Sequence, residues 1–203
     1  MSATNTSNTK SSACLKRRQS GVAAVEFAMV ATMFFVIVFG IIEIARAMYM
    51  FNTMAEVTRR AAQEAANVSF RDSAALDLVR KRAVFDEEKG KLPFGEPITY
   101  QNIRIEYLTL PKNKSALEII PDASLPSCPA KNRVNCMADP NAGNCIRAVQ
   151  ARICQEGSSG GACTPVTYQS LVSLINLPLT LPTALTIVSA ETLGYKKGDV
   201  PCP

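Results

Sequence analysis

Apolar residues fill Val22 through Ile42, a run of 21 positions in which Glu26 is the only charge. A helix rising about 1.5 Å per residue covers about 31 Å over that length, the thickness of a bilayer's hydrocarbon core. The helical pattern continues past the run. Ile44, Met48, Phe51, Ala55 and Ala62 make an intermittent apolar stripe, with Glu56, Arg59, Arg60 and Glu64 mostly elsewhere around the helix. Neither Pro nor Gly falls between Ile41 and Ala66, and alanine is abundant. A single helix over residues 22–66 would be about 68 Å long. The other reading is a membrane helix and a separate amphipathic helix, kinked near Asn52-Thr53. Either arrangement presents a long helix for packing beside copies or relatives.

Downstream, Asp72-Ser73 predicts an N-cap for a second helix from Ala74 to about Lys89, stopped by Gly90 and Pro93, with Leu76, Val79 and Ala83 on one face. Residues 98–110 read as a strand, because Ile103, Ile105 and Tyr107 alternate with Arg104 and Glu106. Residues 111–144 are rich in Pro, Asn, Ser and Lys and read as mostly loop. Cys145 to Cys154 fits a strand, and a short helix fits almost as well. Gly157-Ser158-Ser159-Gly160-Gly161 is a connector; no phosphate-binding Lys-Ser/Thr follows it. Leu171–Leu181 is too short and too Pro-interrupted to cross a membrane again, and is expected to cover the sheet. The fold class expected is α+β: a long N-terminal membrane-spanning helix, then a small disulfide-containing domain with an antiparallel sheet.

Charge changes the picture at the N-terminus only. The chain has 22 basic and 17 acidic residues among 203, a formal +5. Lys10, Lys16, Arg17 and Arg18 lie in residues 1–21 with no acid, and without these four the remainder holds 18 basic against 17 acidic residues. The excess is therefore a topology signal. It predicts a cytoplasmic N-terminus and an exported C-terminal domain, and argues against a nucleic-acid surface.

Histidine is absent, which excludes Ser-His-Asp and Cys-His catalysis and His-containing metal sites. Tryptophan is absent too, and the aromatics are too sparse for a base-stacking platform. Cys14 stands alone in the N-terminal tail. Cys128, Cys136, Cys145, Cys154, Cys163 and Cys202 gather in a polar, Pro/Gly/Asn-rich stretch. Their even number reads as a disulfide framework in an oxidising compartment. Zinc is the rival, but no CxxC pair exists and the spacings suit a tetrahedral site poorly. Six cysteines allow fifteen pairings, and the spacing does not choose among them. No metal and no cofactor is expected.

A cleaved secretory signal would have a shorter apolar region ending in a small-x-small site. Here Gly21 precedes the run, so a cut there leaves the anchor on the mature chain. Arg17-Arg18-Gln19-Ser20-Gly21, Val22-Ala23-Ala24-Val25-Glu26-Phe27 and the block from Phe39 to Tyr49 together resemble the type IV prepilin family. Within it they resemble the TadE-like minor pseudopilins of tight-adherence (Tad, Flp-type) pili. The resemblance is strong over residues 17–66 and weak beyond, apart from a TadE-like ending of strand, short hydrophobic crossing and final strand. It implies a prepilin peptidase cut between Gly21 and Val22, with Glu26 as the glutamate at the fifth mature position and Phe27 beside it in assembly. It also implies three parts: a leader over residues 1–21 that is removed, an anchor and stalk helix over 22–66, and an exported domain over 67–203. The implied place is the bacterial inner membrane as a single-pass protein with a periplasmic domain, incorporated in some cases into the extracellular pilus. The implied partners are other pilus subunits and minor pseudopilins, the prepilin peptidase and the inner-membrane assembly platform, with no nucleic acid and no small-molecule substrate.

Glu26 carries its own physical argument. A carboxylate near the membrane centre costs about 2.5–3.5 kcal/mol on insertion scales, and less toward the end of a span. Such a charge persists where it has a partner. The α-amino group that cleavage would create on Val22 lies one helical turn away on the same face. Glu43 and Arg46, three apart just beyond the run, are expected to pair as a solvated surface feature without chemistry. A signal-anchored enzyme would need a Ser-Lys pair or a carboxylate dyad. The one S-x-x-K, Ser7 to Lys10, lies in the polar N-terminal tail ahead of the apolar run, and no acid pair stands out. A disulfide-rich extracytoplasmic binding or adhesin module remains the alternative to a structural pilus subunit.

Overall fold

The structure, a computed structural model, describes residues 20–158, 162–171, 179–200 and 202. Cys14, the four leader cations and residues 172–178 of the apolar crossing lie outside them. The chain divides into two units, residues 1–40 and 41–203.

Helix α1, Ser20–Ala65, contributes to both. It starts two residues before the apolar run and continues unbroken through Asn52-Thr53, where Thr53 Oγ1 bonds back to the Tyr49 carbonyl at 2.7 Å. In the first unit its side chains stand mostly exposed, including Val22, Phe27, Met33 and Phe34. An all-round apolar helix without protein packing is what a bilayer accepts, and its most apolar stretch reaches a mean hydropathy of 2.5.

The second unit is the α+β domain, and the upper half of α1 is its central element. Ala47, Met50, Met54, Val57, Ala61 and Ala65 recur every three or four residues and are buried. The apolar stripe read from the sequence is thus displaced around the helix. Ile44, Met48 and Ala55 are exposed, Phe51 is half-buried, and of that stripe Ala62 alone is fully buried. The inward face packs in one cluster with Ile103, Ala151 and Ile153, and the expected stripe lies off that face.

Four antiparallel strands make one sheet in the order β2–β1–β3–β4: β1 Ile103–Thr109, β2 Glu118–Ile119, β3 Ala148–Ile153 and β4 Leu185–Ser189. Register aligns Ile105 with Ala151, Tyr107 with Val149, and Val149 with Val188. These residues and Ile103 and Ile153 face α1 and the short helix α2, Ser73–Ala83. Cys145–Cys154 therefore resolves as a strand. It is nearly continuously buried because it is central, with neighbours on both edges.

Three expectations about element boundaries change as well. Asp72 caps α2 as predicted, its side chain accepting from the Ala75 amide at 2.9 Å, but the helix ends at Ala83 and not near Lys89. Phe85 turns to φ 64°, and Asp86 Oδ1 then accepts from the amides of Glu88 and Lys89, a local turn that replaces another helical turn. The strand expected over 98–110 shortens to β1, because Thr99 and Asn102 cap a 3₁₀ turn at Tyr100–Asn102. The loop expected over 111–144 contains β2 and a helix α3, Pro129–Ala138, with proline at its first turn.

The six domain cysteines form three disulfides: Cys128–Cys202, Cys136–Cys145 and Cys154–Cys163. The two short ones close loops of sequence separation 9 and clamp both ends of β3; the third spans 74 residues and ties the C-terminus to the start of α3.

Candidate functional site

The residues singled out from the sequence fall in two places. Gly21, Val22, Glu26 and Phe27 lie on the first turns of α1 and are all exposed. A methyl group added at Gly21 would meet nothing within 4 Å, so the glycine is not required by packing inside the chain. Glu26 sits one turn above Val22 on an otherwise apolar surface. The cysteines, by contrast, lie in the domain and staple its loops.

A site that the sequence reading set aside lies at the start of the second unit. Glu43 and Arg46 are buried, with side chains 0% and 6% exposed, where a solvated surface pair was expected. Their own contact is loose, 4.0 Å from Nη1 to Oε2. What holds them is the domain. Tyr168 donates its hydroxyl to Glu43 Oε2 at 2.5 Å, and the Leu171 amide donates to Oε1 at 2.6 Å. Arg46 Nε donates to the Phe94 carbonyl at 2.9 Å and Nη2 to the Glu96 carbonyl at 2.8 Å. Its Nη1 donates to the Gln169 carbonyl at 2.6 Å and to the Tyr168 hydroxyl at 3.2 Å.

Two loops, around residues 94–96 and 168–171, are thereby tied to one turn of helix. The guanidinium also lies 5.2 Å from the Tyr168 ring centroid. Burial, and the Glu43 carboxylate that accepts from the hydroxyl, push the Tyr168 phenol above the ordinary tyrosine range. The arrangement is a structural collar: the charges are saturated by backbone carbonyls, an amide and a hydroxyl. The signal for it was present in the sequence. Residues 43, 46, 47, 50, 54, 57 and 61 share one face, so a charged pair opening that series belongs to the buried side.

Near the sheet, Arg152 Nη2 and Gln150 Nε2 both donate to Glu106, at 2.6 and 2.9 Å. This cross-strand set, on the opposite face from α1, supports pairing of β1 with β3.

Residues 21–63 match the family model described as TadE-like protein. No curated protein and no solved structure matches the chain. The matched segment covers both the apolar surface carrying Glu26 and the Glu43–Arg46 turn that the domain closes upon. Over residues 21–63, then, this chain is similar to the TadE-like proteins.

Proposed function

We propose that the protein is a minor pseudopilin, a structural and assembly subunit of a Tad (Flp-type) pilus that catalyses no reaction of its own. The observation that carries the reading is the TadE-like match, which coincides with a helix whose exposed apolar surface holds one carboxylate, Glu26. A prepilin peptidase cuts between Gly21 and Val22, and Val22 becomes the mature N-terminus. The basic leader stays in the cytoplasm, α1 crosses the inner membrane once, and the domain folds in the periplasm, where its three disulfides form. The new α-amino group then neutralises Glu26 of its own or a neighbouring subunit, with Phe27 in the same contact. Partners are other pilus subunits, minor pseudopilins and the assembly platform.

N-terminal mapping of the protein from peptidase-positive and peptidase-deficient cells tests the reading. A mature start at Val22 that depends on the peptidase supports it. An uncut Met1 in both strains overturns it and favours a signal-anchored module. A start beyond residue 40 favours a secreted binding or adhesin domain.

A further inference from the structure

The collar fixes where two exposed apolar side chains stand relative to the end of the apolar run. Glu43 is the first residue after that run and Arg46 the fourth. Helical rise puts the Arg46 Cα about 6 Å beyond Ile42, and helical side chains lean back toward the N-terminus. The interfacial layer on each side of a bilayer is about 5–8 Å deep. The backbone atoms bonded to Glu43 and Arg46, the Phe94 and Glu96 carbonyls and the Leu171 amide, therefore lie at the level of that layer.

On these short tethers Phe94 is 82% exposed and Leu171 62%. Ile41, Ile42 and Ile44 on the helix beside them are exposed as well. Phe94 holds a left-handed backbone, φ 55°, in a turn whose Pro93 carbonyl accepts from the Tyr49 hydroxyl at 3.0 Å. The loop is thus held from three helix side chains, Arg46, Tyr49 and, through the neighbouring loop, Glu43. A large aromatic held at this height and left uncovered has one solvent that suits it.

We infer that Phe94 and Leu171 are membrane-interface anchors, inserted into the leaflet on the domain's side of the bilayer that α1 spans. Charge does not carry the contact. Lys89 and Lys91 line the hollow beside Phe94 with Arg46, but Asp86 and Glu96 line it too. The occupant is therefore the apolar and glycerol region of the lipid, with no need of an anionic headgroup. The inference rests on α1 crossing the membrane and is independent of pilus assembly.

The chain has no tryptophan, so a single substitution supplies a depth probe. Full-length F94W and L171W, placed in zwitterionic phosphatidylcholine vesicles, should each emit blue-shifted fluorescence. Acyl-chain-brominated phosphatidylcholine should quench most of it, and aqueous iodide little. M137W is the control. Met137 is 77% exposed and shares a hollow with Leu193, whose amide bonds the Ala66 carbonyl at the far end of α1. Its indole should answer to iodide and ignore the brominated lipid.

Iodide quenching of F94W and L171W without lipid quenching overturns the inference. Protection from both quenchers overturns it as well, since a second copy would then cover the residues. Extraction of the protein by alkaline carbonate would refute the span itself, and the inference with it. Retention with an aqueous indole would refute the inference alone.

Discussion

Tyr168 donates its hydroxyl to Glu43 Oε2 at 2.5 Å, across 125 residues of chain, while accepting from Arg46 at 3.2 Å. That one phenol links the first turn of α1 beyond the apolar run to the loop that follows β3 and its disulfide. The polar node thus joins this turn of helix to the domain's loops in addition to the apolar core.

Breaking one member of the node should cost far more than removing the pair. Glu43→Gln or Arg46→Met leaves an uncompensated buried charge, and each should destabilise the domain by about 3–5 kcal/mol. The double variant E43M/R46L, apolar on both sides, should recover a large part of that loss. Denaturant unfolding of the detergent-solubilised full-length protein, followed by circular dichroism, measures all three. If the losses of the single variants simply add in the double, the pair is not coupled and the node is incidental.

Tyr168 also sets a pH dependence. Its folded-state pKa is raised above the ordinary value of 10.0, with burial the largest cause and the Glu43 hydrogen bond next. A raised folded pKa means that the phenol's contribution is fully present below pH 10 and is lost as pH climbs through the higher folded value. The difference in phenolate absorbance between the parent and Tyr168→Phe should therefore appear only above the normal tyrosine range. A difference titrating at the ordinary value would show the hydroxyl to be free of Glu43.

The disulfides should differ in weight. Closing a loop restricts the unfolded chain more as the loop grows, so Cys128–Cys202, of separation 74, is worth about 4.5 kcal/mol. The two bridges of separation 9 are worth about 2.6 kcal/mol each on the same loop-entropy reasoning. Paired Cys→Ser variants, ranked by unfolding midpoint, should place the long bridge first. Non-reducing peptide mapping of protein recovered from the periplasm should return the three pairs described above. Six alkylatable thiols in that sample would overturn the framework.

Glu26→Gln keeps the side chain's volume and removes its charge. Membrane insertion should persist, since the segment becomes more apolar, and cleavage after Gly21 should largely persist. Co-purification with other pilus subunits and surface piliation should fall sharply. Replacing Gly21 with a bulky residue should do the reverse at the earlier step: the structure tolerates the side chain, yet processing should stop. Normal piliation by the Gln variant would reduce Glu26 to an interfacial carboxylate without a role in assembly.

The order of elements was legible from the sequence because each rests on local physics. The unbroken apolar run needs no partner to declare itself, and neither does the Asp72 cap or the period-two alternation of Ile103, Ile105 and Tyr107. The even set of six cysteines likewise declared a framework, but not its pairing, which depends on which loops the fold brings within bonding distance. Tertiary structure alone decided the rest. It selected the face of α1 through Ala47, Met50, Met54, Val57 and Ala61 for the core over the stripe through Ile44 and Met48, because that is the face on which Ile103, Ala151 and Ile153 pack. It buried Glu43 and Arg46, which look like a surface pair until the carbonyls of residues 94, 96 and 169 and the Tyr168 hydroxyl arrive from distant parts of the chain. Charge patterns along one helix report what that helix can satisfy by itself; the cost of burying a charge is met by atoms that only the folded chain places beside it.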